Sequence, residues 1–224
     1  MRAFLRTVFI IVEKDIITEW RNRGLFSGMI LFSILVVLIF NFALELETRT
    51  GSALIGGLIW TTLLFTGIIG LNHSMPVERD TACLDGLLLA PVDRSVIYFG
   101  KVVSIWIMML IVAMILLPMF FILYDYTLFS FSLIAVILLG TFGYALCGTL
   151  LAAMAMQSRY SDLLLPLILF PVTFPLFLAA IKASGGILQR LPLSEIEPWI
   201  NLLLVFDVIF IGLGLMLFDP IMEE

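Results

Sequence analysis

An all-α membrane protein with six transmembrane helices is expected from three observations: an unusually apolar composition, long apolar runs, and no alternation of polarity within them. Of 224 residues, 62% are hydrophobic and 13% are charged, whereas soluble domains are about 45–50% apolar and about 25% charged. Mean hydropathy is +1.18, so a water-soluble globule would have too few polar side chains to cover its surface. The six runs are Leu25–Leu44, Ala53–Asn72, Val102–Leu123, Leu128–Met156, Leu163–Ile181 and Trp199–Phe218. Each is near the length of about 20 residues that crosses about 30 Å of hydrocarbon. Strands of a membrane barrel would be about 10 residues long and alternating.

Ahead of the first run lies an N-terminal arm, residues 1–24. Leu5, Val8, Phe9, Val12, Ile16 and Trp20 recur at helical spacing, with Arg2, Arg6 and Glu13 off that face. This predicts an amphipathic helix on the membrane surface, either a topogenic anchor or a functional elbow. Asp15 and Glu19 fit imperfectly, falling near the edge of the apolar face. The first run is not expected to be a cleaved signal peptide, because a long charged segment precedes it and no small-x-small site follows. Residues 25–224 then form the six-helix domain.

Basic residues orient it. With the N-terminus inside, Arg2, Arg6, Lys14, Arg21, Arg23, Arg79, Arg94, Lys101 and Arg159 are inside, and Arg49, Lys182 and Arg190 are outside. Positive charge favours the cytoplasmic side, so both termini are expected there.

The inner loop between the second and third runs, residues 73–101, carries Glu78, Arg79, Asp80, Asp85, Asp93 and Arg94 around Leu87-Leu88-Leu89, with Pro91 ending that stretch. A loop this long with its own amphipathic content suits a docking segment. The outer segment 182–198 contains Gly185-Gly186, which is expected to break the fifth span. Ser194 and Glu197 have the spacing of a weak capping box before the last. Ala145, Gly148, Thr149, Ala152 and Ala153 give the fourth span a small face suited to close helix packing.

Within the spans, Asp207 sits mid-membrane, where an acidic group costs about 2.5–3.5 kcal/mol on the insertion scale. It should therefore face protein or water, as a hydrogen-bonded packing group or a transport group. Pro166, Pro171 and Pro175 in the fifth span free backbone carbonyls and kink the helix, as a static bend or a moving part. No GxxxxGK[ST], HExxH or GxSxG occurs, so no phosphate cradle, zinc helix or serine nucleophile is expected. No catalytic residue and no metal site are assigned. His73 is the single histidine and reads more readily as an interfacial residue than as a ligand. The net charge of −5 argues against a nucleic-acid partner.

These residues carry a resemblance. Lys14-Asp15-Ile16 with Glu19 and Arg21, Gly57-Leu58-Ile59-Trp60, Gly70-Leu71-Asn72, Glu78-Arg79 and Leu84-Asp85-Gly86-Leu87-Leu88-Leu89-Ala90-Pro91 belong to it. So do Tyr98, Gly100-Lys101, Leu139-Gly140-Thr141, Gly148 to Ala153, Leu164-Leu165-Pro166 and Pro171 to Pro175. The chain resembles the haem exporter protein B (CcmB) family over nearly its whole length. The block from Asp85 to Pro91 with Lys101 is its most specific part.

The resemblance implies an ABC-2 type exporter membrane domain, a permease that moves haem or a haem-linked species across the cytoplasmic membrane for c-type cytochrome biogenesis. It implies a separate ABC ATPase that binds the ATP and haem-handling membrane subunits of the cytochrome c maturation system; a second copy of the chain is a further candidate partner. Glu78, Arg79, Asp85, Gly86, Leu87, Leu88, Pro91 and Lys101 are the expected ATPase-coupling residues. Haem is expected as substrate and not as a stably bound cofactor. The competing expectation is a non-transporting scaffold that anchors the ATPase beside the haem-handling subunits.

Overall fold

The computed structural model describes residues 2–22, 24–44, 51–80, 94–124, 130–156, 158 and 161–221. The described residues form seven helices: α1 (Arg2–Asn22), α2 (Gly24–Leu44), α3 (Gly51–Asp80), α4 (Arg94–Tyr124), α5 (Phe131–Met156), α6 (Ser161–Leu188) and α7 (Leu193–Ile221). Six of them, α2 to α7, have the length and apolarity to cross a membrane. The protein is a multi-pass, all-α membrane protein. An even number of spans returns the chain to the side on which it began, so α1, the start of α4 and the end of α7 share one face.

Helix α5 is the centre of the bundle. In its apolar window 72% of residues are buried, against 22% in α2 at the periphery. It packs on α3, α4, α6 and α7. Lipid is as apolar as leucine, so association of spans depends on close packing and polar contacts. The expected small face of Ala145, Gly148, Thr149, Ala152 and Ala153 is buried throughout. Three glycines of α5 also act as sockets: the Trp60 ring lies over Gly140, Asp207 over Gly143 and Leu71 over Gly148. A side chain at any of the three would collide with its occupant. Large apolar residues such as Leu31, Phe42, Phe131, Leu163 and Met216 point outward, as lipid-facing positions should.

The helices outrun the apolar runs. Helix α3 continues eight residues past Asn72, to Asp80, and α4 begins eight residues before Val102, at Arg94. The inner loop is therefore not residues 73–101 but the shorter segment between the two helices. Hydropathy marks where hydrocarbon ends, whereas the backbone ladder continues into the interface. Helix α6 likewise passes through Gly185-Gly186 to Leu188, because these glycines are a contact and not a break. A Cβ on Gly56 of α3 would lie 3.2 Å from the Gly185 nitrogen, so the two backbones nearly touch.

The chain leaves α6 through Arg190, whose φ is +57°. Arg190 N–H donates to the Ile187 carbonyl and Leu191 N–H to the Gly186 carbonyl, both at 3.0 Å. This is the paired bonding of a Schellman stop, usually built on glycine. Helix α7 starts at Leu193, one residue ahead of the expected cap at Ser194, and Glu195 N–H bonds to the Pro192 carbonyl at 3.0 Å.

Candidate functional site: a charged elbow and a polar core

The first two turns of α4 bond to and pack on three other helices. Tyr98 donates its hydroxyl to the Leu146 carbonyl of α5 at 3.0 Å, lies over Gly214 of α7 and packs on Phe218 at 5.2 Å between ring centroids. Arg94 donates to the Asp219 carbonyl at the end of α7 at 3.1 Å. Phe99 meets Phe4 of α1 edge to face at 6.1 Å. Gly100 lets Ile11 of α1 against the α4 backbone: a Cβ there would lie 2.7 Å from Ile11 Cγ2.

Lys101 completes this region, and here the structure corrects the sequence expectation. Lys101 is not in a solvated loop; it is buried in α4, 1% exposed. Its Nζ lies 2.8 Å from Asp15 Oδ2, with side-chain exposures of 2% and 7%. Lys14 Nζ approaches the other oxygen, Oδ1, at 3.2 Å and is 34% exposed. A lysine this deep is tolerated only with a counter-charge in hydrogen-bonding contact. The charge placement at Asp15 that fitted the amphipathic pattern poorly is thus explained. The face of α1 turned to the protein runs through Ile11, Val12 and Asp15, while Leu5, Phe9 and Trp20 are exposed. The apolar face read from the sequence is split between protein and surroundings.

Asp207 is 5% exposed and faces the bundle interior. Its Oδ1 lies against Gly143, beside Leu176 of α6 and Phe206. Neither carboxylate oxygen has a hydrogen-bond partner among the described residues. The structure does not gather the proline candidates around it: Pro171 and Pro175 are exposed on the outer side of α6, and Pro166 is half-buried. The neighbouring Leu176 points inward instead.

At mid-span Tyr144 donates to the Leu64 carbonyl at 3.2 Å, and toward the opposite face Trp60 donates Nε1–H to Ser184 Oγ at 2.9 Å. Both bonds tie α3 to its neighbours. A cavity of about 350 Å³ opens there between α6 and α7, lined by Lys182, Gln189, Glu195 and Trp199 over a floor of Gly185 and Gly186. Among the described residues, no three His, Cys, Asp or Glu side chains converge as a metal site. Cys147 is free and buried in α5.

His73, Glu78 and Arg79 fall on the helical end of α3, but their side chains lie outside the described residues. Asp85, Gly86, Leu87, Leu88 and Pro91 lie outside them altogether.

A six-span bundle with a docked N-terminal helix and a glycine-socketed central span defines an all-α, multi-pass integral membrane protein. The CcmB protein family matches residues 6–218, which takes in parts of all seven helices; the chain belongs to the CcmB family. It is 23% identical over 192 residues to "Heme exporter protein B" of Pseudomonas aeruginosa, covering 85% of this chain and 86% of that protein. It is 24% identical over 189 residues to the protein of the same name from Rhodobacter capsulatus, covering 82% and 87%.

Proposed function

We propose that the chain is the permease subunit of an ABC transporter that moves haem, or a haem-linked species, across the cytoplasmic membrane to supply c-type cytochrome assembly. The observation that carries this reading is the family match over residues 6–218, together with two relatives named for haem export. The chain carries no Walker-type phosphate loop, so ATP is bound and hydrolysed by a separate ATPase. Both termini are cytoplasmic, in line with the bias of nine basic residues to three.

In this reading the ATPase docks on the segment from Glu78 to Pro91. In sequence that segment leads to the first turns of α4, where Phe99 meets α1, Tyr98 meets α5 and Arg94 meets α7. Force applied there reaches three helices through Phe99, Lys101, Tyr98 and Arg94. Haem-handling membrane subunits and a second copy of the chain complete the assembly. Haem passes as substrate and is not held as a resident cofactor.

Co-expression with a candidate ABC ATPase from the same genome tests the proposal. The ATPase should co-purify with this chain from membranes, and its turnover should depend on it. An ATPase that neither co-purifies nor changes turnover would contradict the reading.

A further inference from the structure

We propose that the Asp15–Lys101 ion pair is a latch that fixes α1 against α4, so that the two helices move as one body during transport. The inference rests on the transporter reading only for what drives the motion. Phe99, Gly100 and Lys101 are consecutive on α4, yet they meet Phe4, Ile11 and Asp15 of α1. Those partners are spread over about 16 Å of α1 at 1.5 Å per residue. Helix α1 is therefore held against α4 along about three of its turns, with Asp15 at the far end of the contact from Phe4.

Apolar contact alone sets the position of α1 on α4 weakly. The helix exposes Leu5, Phe9 and Trp20 at 61%, 67% and 68%, and lipid rewards these residues as well as protein does. The ion pair supplies what packing does not. Separating the helices would take from Lys101, 2% exposed, its carboxylate partner at 2.8 Å, and a buried charge that loses its counter-charge is costly. Lys14 on the second oxygen holds the carboxylate in place from the wetter side. The register is fixed as well, since a one-residue slip of α1 would turn Asp15 away from Lys101 by about a quarter turn.

The test uses the assembled complex in membranes, in a background with Cys83→Ser and Cys147→Ala. Ile11→Cys and Gly100→Cys are introduced together. A Cβ on Gly100 would lie 2.9 Å from Ile11 Cβ, a small separation short of the spacing of about 3.5–4.5 Å that a disulfide needs. Oxidation should cross-link the pair at the same rate with and without trapped nucleotide, and the cross-linked complex should keep its ATPase turnover. Lys101→Met should slow cross-linking by about tenfold or more, and Asp15→Lys combined with Lys101→Asp should restore the rate, because the pair is then re-formed with its charges exchanged.

Cross-linking that stops in one nucleotide state, or that silences the complex, would show that α1 leaves α4 and overturn the latch. An unchanged rate in Lys101→Met would overturn the role of the pair. If no ATPase binds at all, the transporter reading fails, while the Lys101→Met result still decides the latch.

Discussion

Replacing Asp207 by leucine should stabilise the protein and impair it. Leucine has the branching of aspartate, with methyl groups in place of the two oxygens. Both oxygens are buried without a hydrogen-bond partner among the described residues, and a buried polar group left unpaired costs about 1–3 kcal/mol. The groups at the site, Gly143, Leu176 and Phe206, suit methyls. Because the methyls are larger than the oxygens and Gly143 is already in contact, the gain should fall at the low end, about 1 kcal/mol. For a chain of this size that is a rise of about 2–4 °C in unfolding midpoint, read by thermal unfolding of the purified protein in detergent. Cytochrome c maturation should fall in the same variant, since an acidic group kept mid-span at a cost to stability marks a functional position. A lower midpoint would refute the energetic reasoning, and a higher midpoint with full activity would refute the functional half.

Leu88→Asp should insert normally but lose ATPase co-purification, because Leu87 to Leu89 are the apolar part of the proposed docking segment; co-purification at the normal level refutes it. Arg190→Gly should raise stability by about 0.5–1 kcal/mol by relieving a left-handed non-glycine residue at the α6 stop, measured as a higher unfolding midpoint. Titration of the purified chain with haem should give no sharp stoichiometric six-coordinate Soret spectrum. A spectrum of that kind, lost in His73→Ala, would make His73 a ligand.

The number and order of spans were legible in the sequence because the bilayer imposes a length on each apolar run. The ends of the helices were not: Glu78 and Arg94 are polar, and hydropathy does not register a helix that continues through polar residues. Gly185-Gly186 read as a break, since a glycine pair that ends a helix and one that admits the Gly56 backbone look alike in sequence. Lys101 was singled out, yet placed in the loop. The signal that could have paired it with Asp15 was present as two misfits, a lysine heading an apolar run and an aspartate at the edge of an apolar face. Opposite charges in such positions point to each other, but only a fold brings residues 86 positions apart into contact. Asp207 was correctly expected to face the interior, because its cost in lipid depends on depth alone.

The central claim is ATP-driven movement of haem through this subunit. Its most direct measurement is haem transfer across proteoliposomes holding the chain and its ATPase, with an apo-haem acceptor on the side opposite the ATPase. The account predicts acceptor loading that requires ATP, stops in a hydrolysis-deficient ATPase and falls in Asp207→Leu. Loading that proceeds equally without ATP, or an ATPase that turns over on the subunit while no haem crosses, would contradict it.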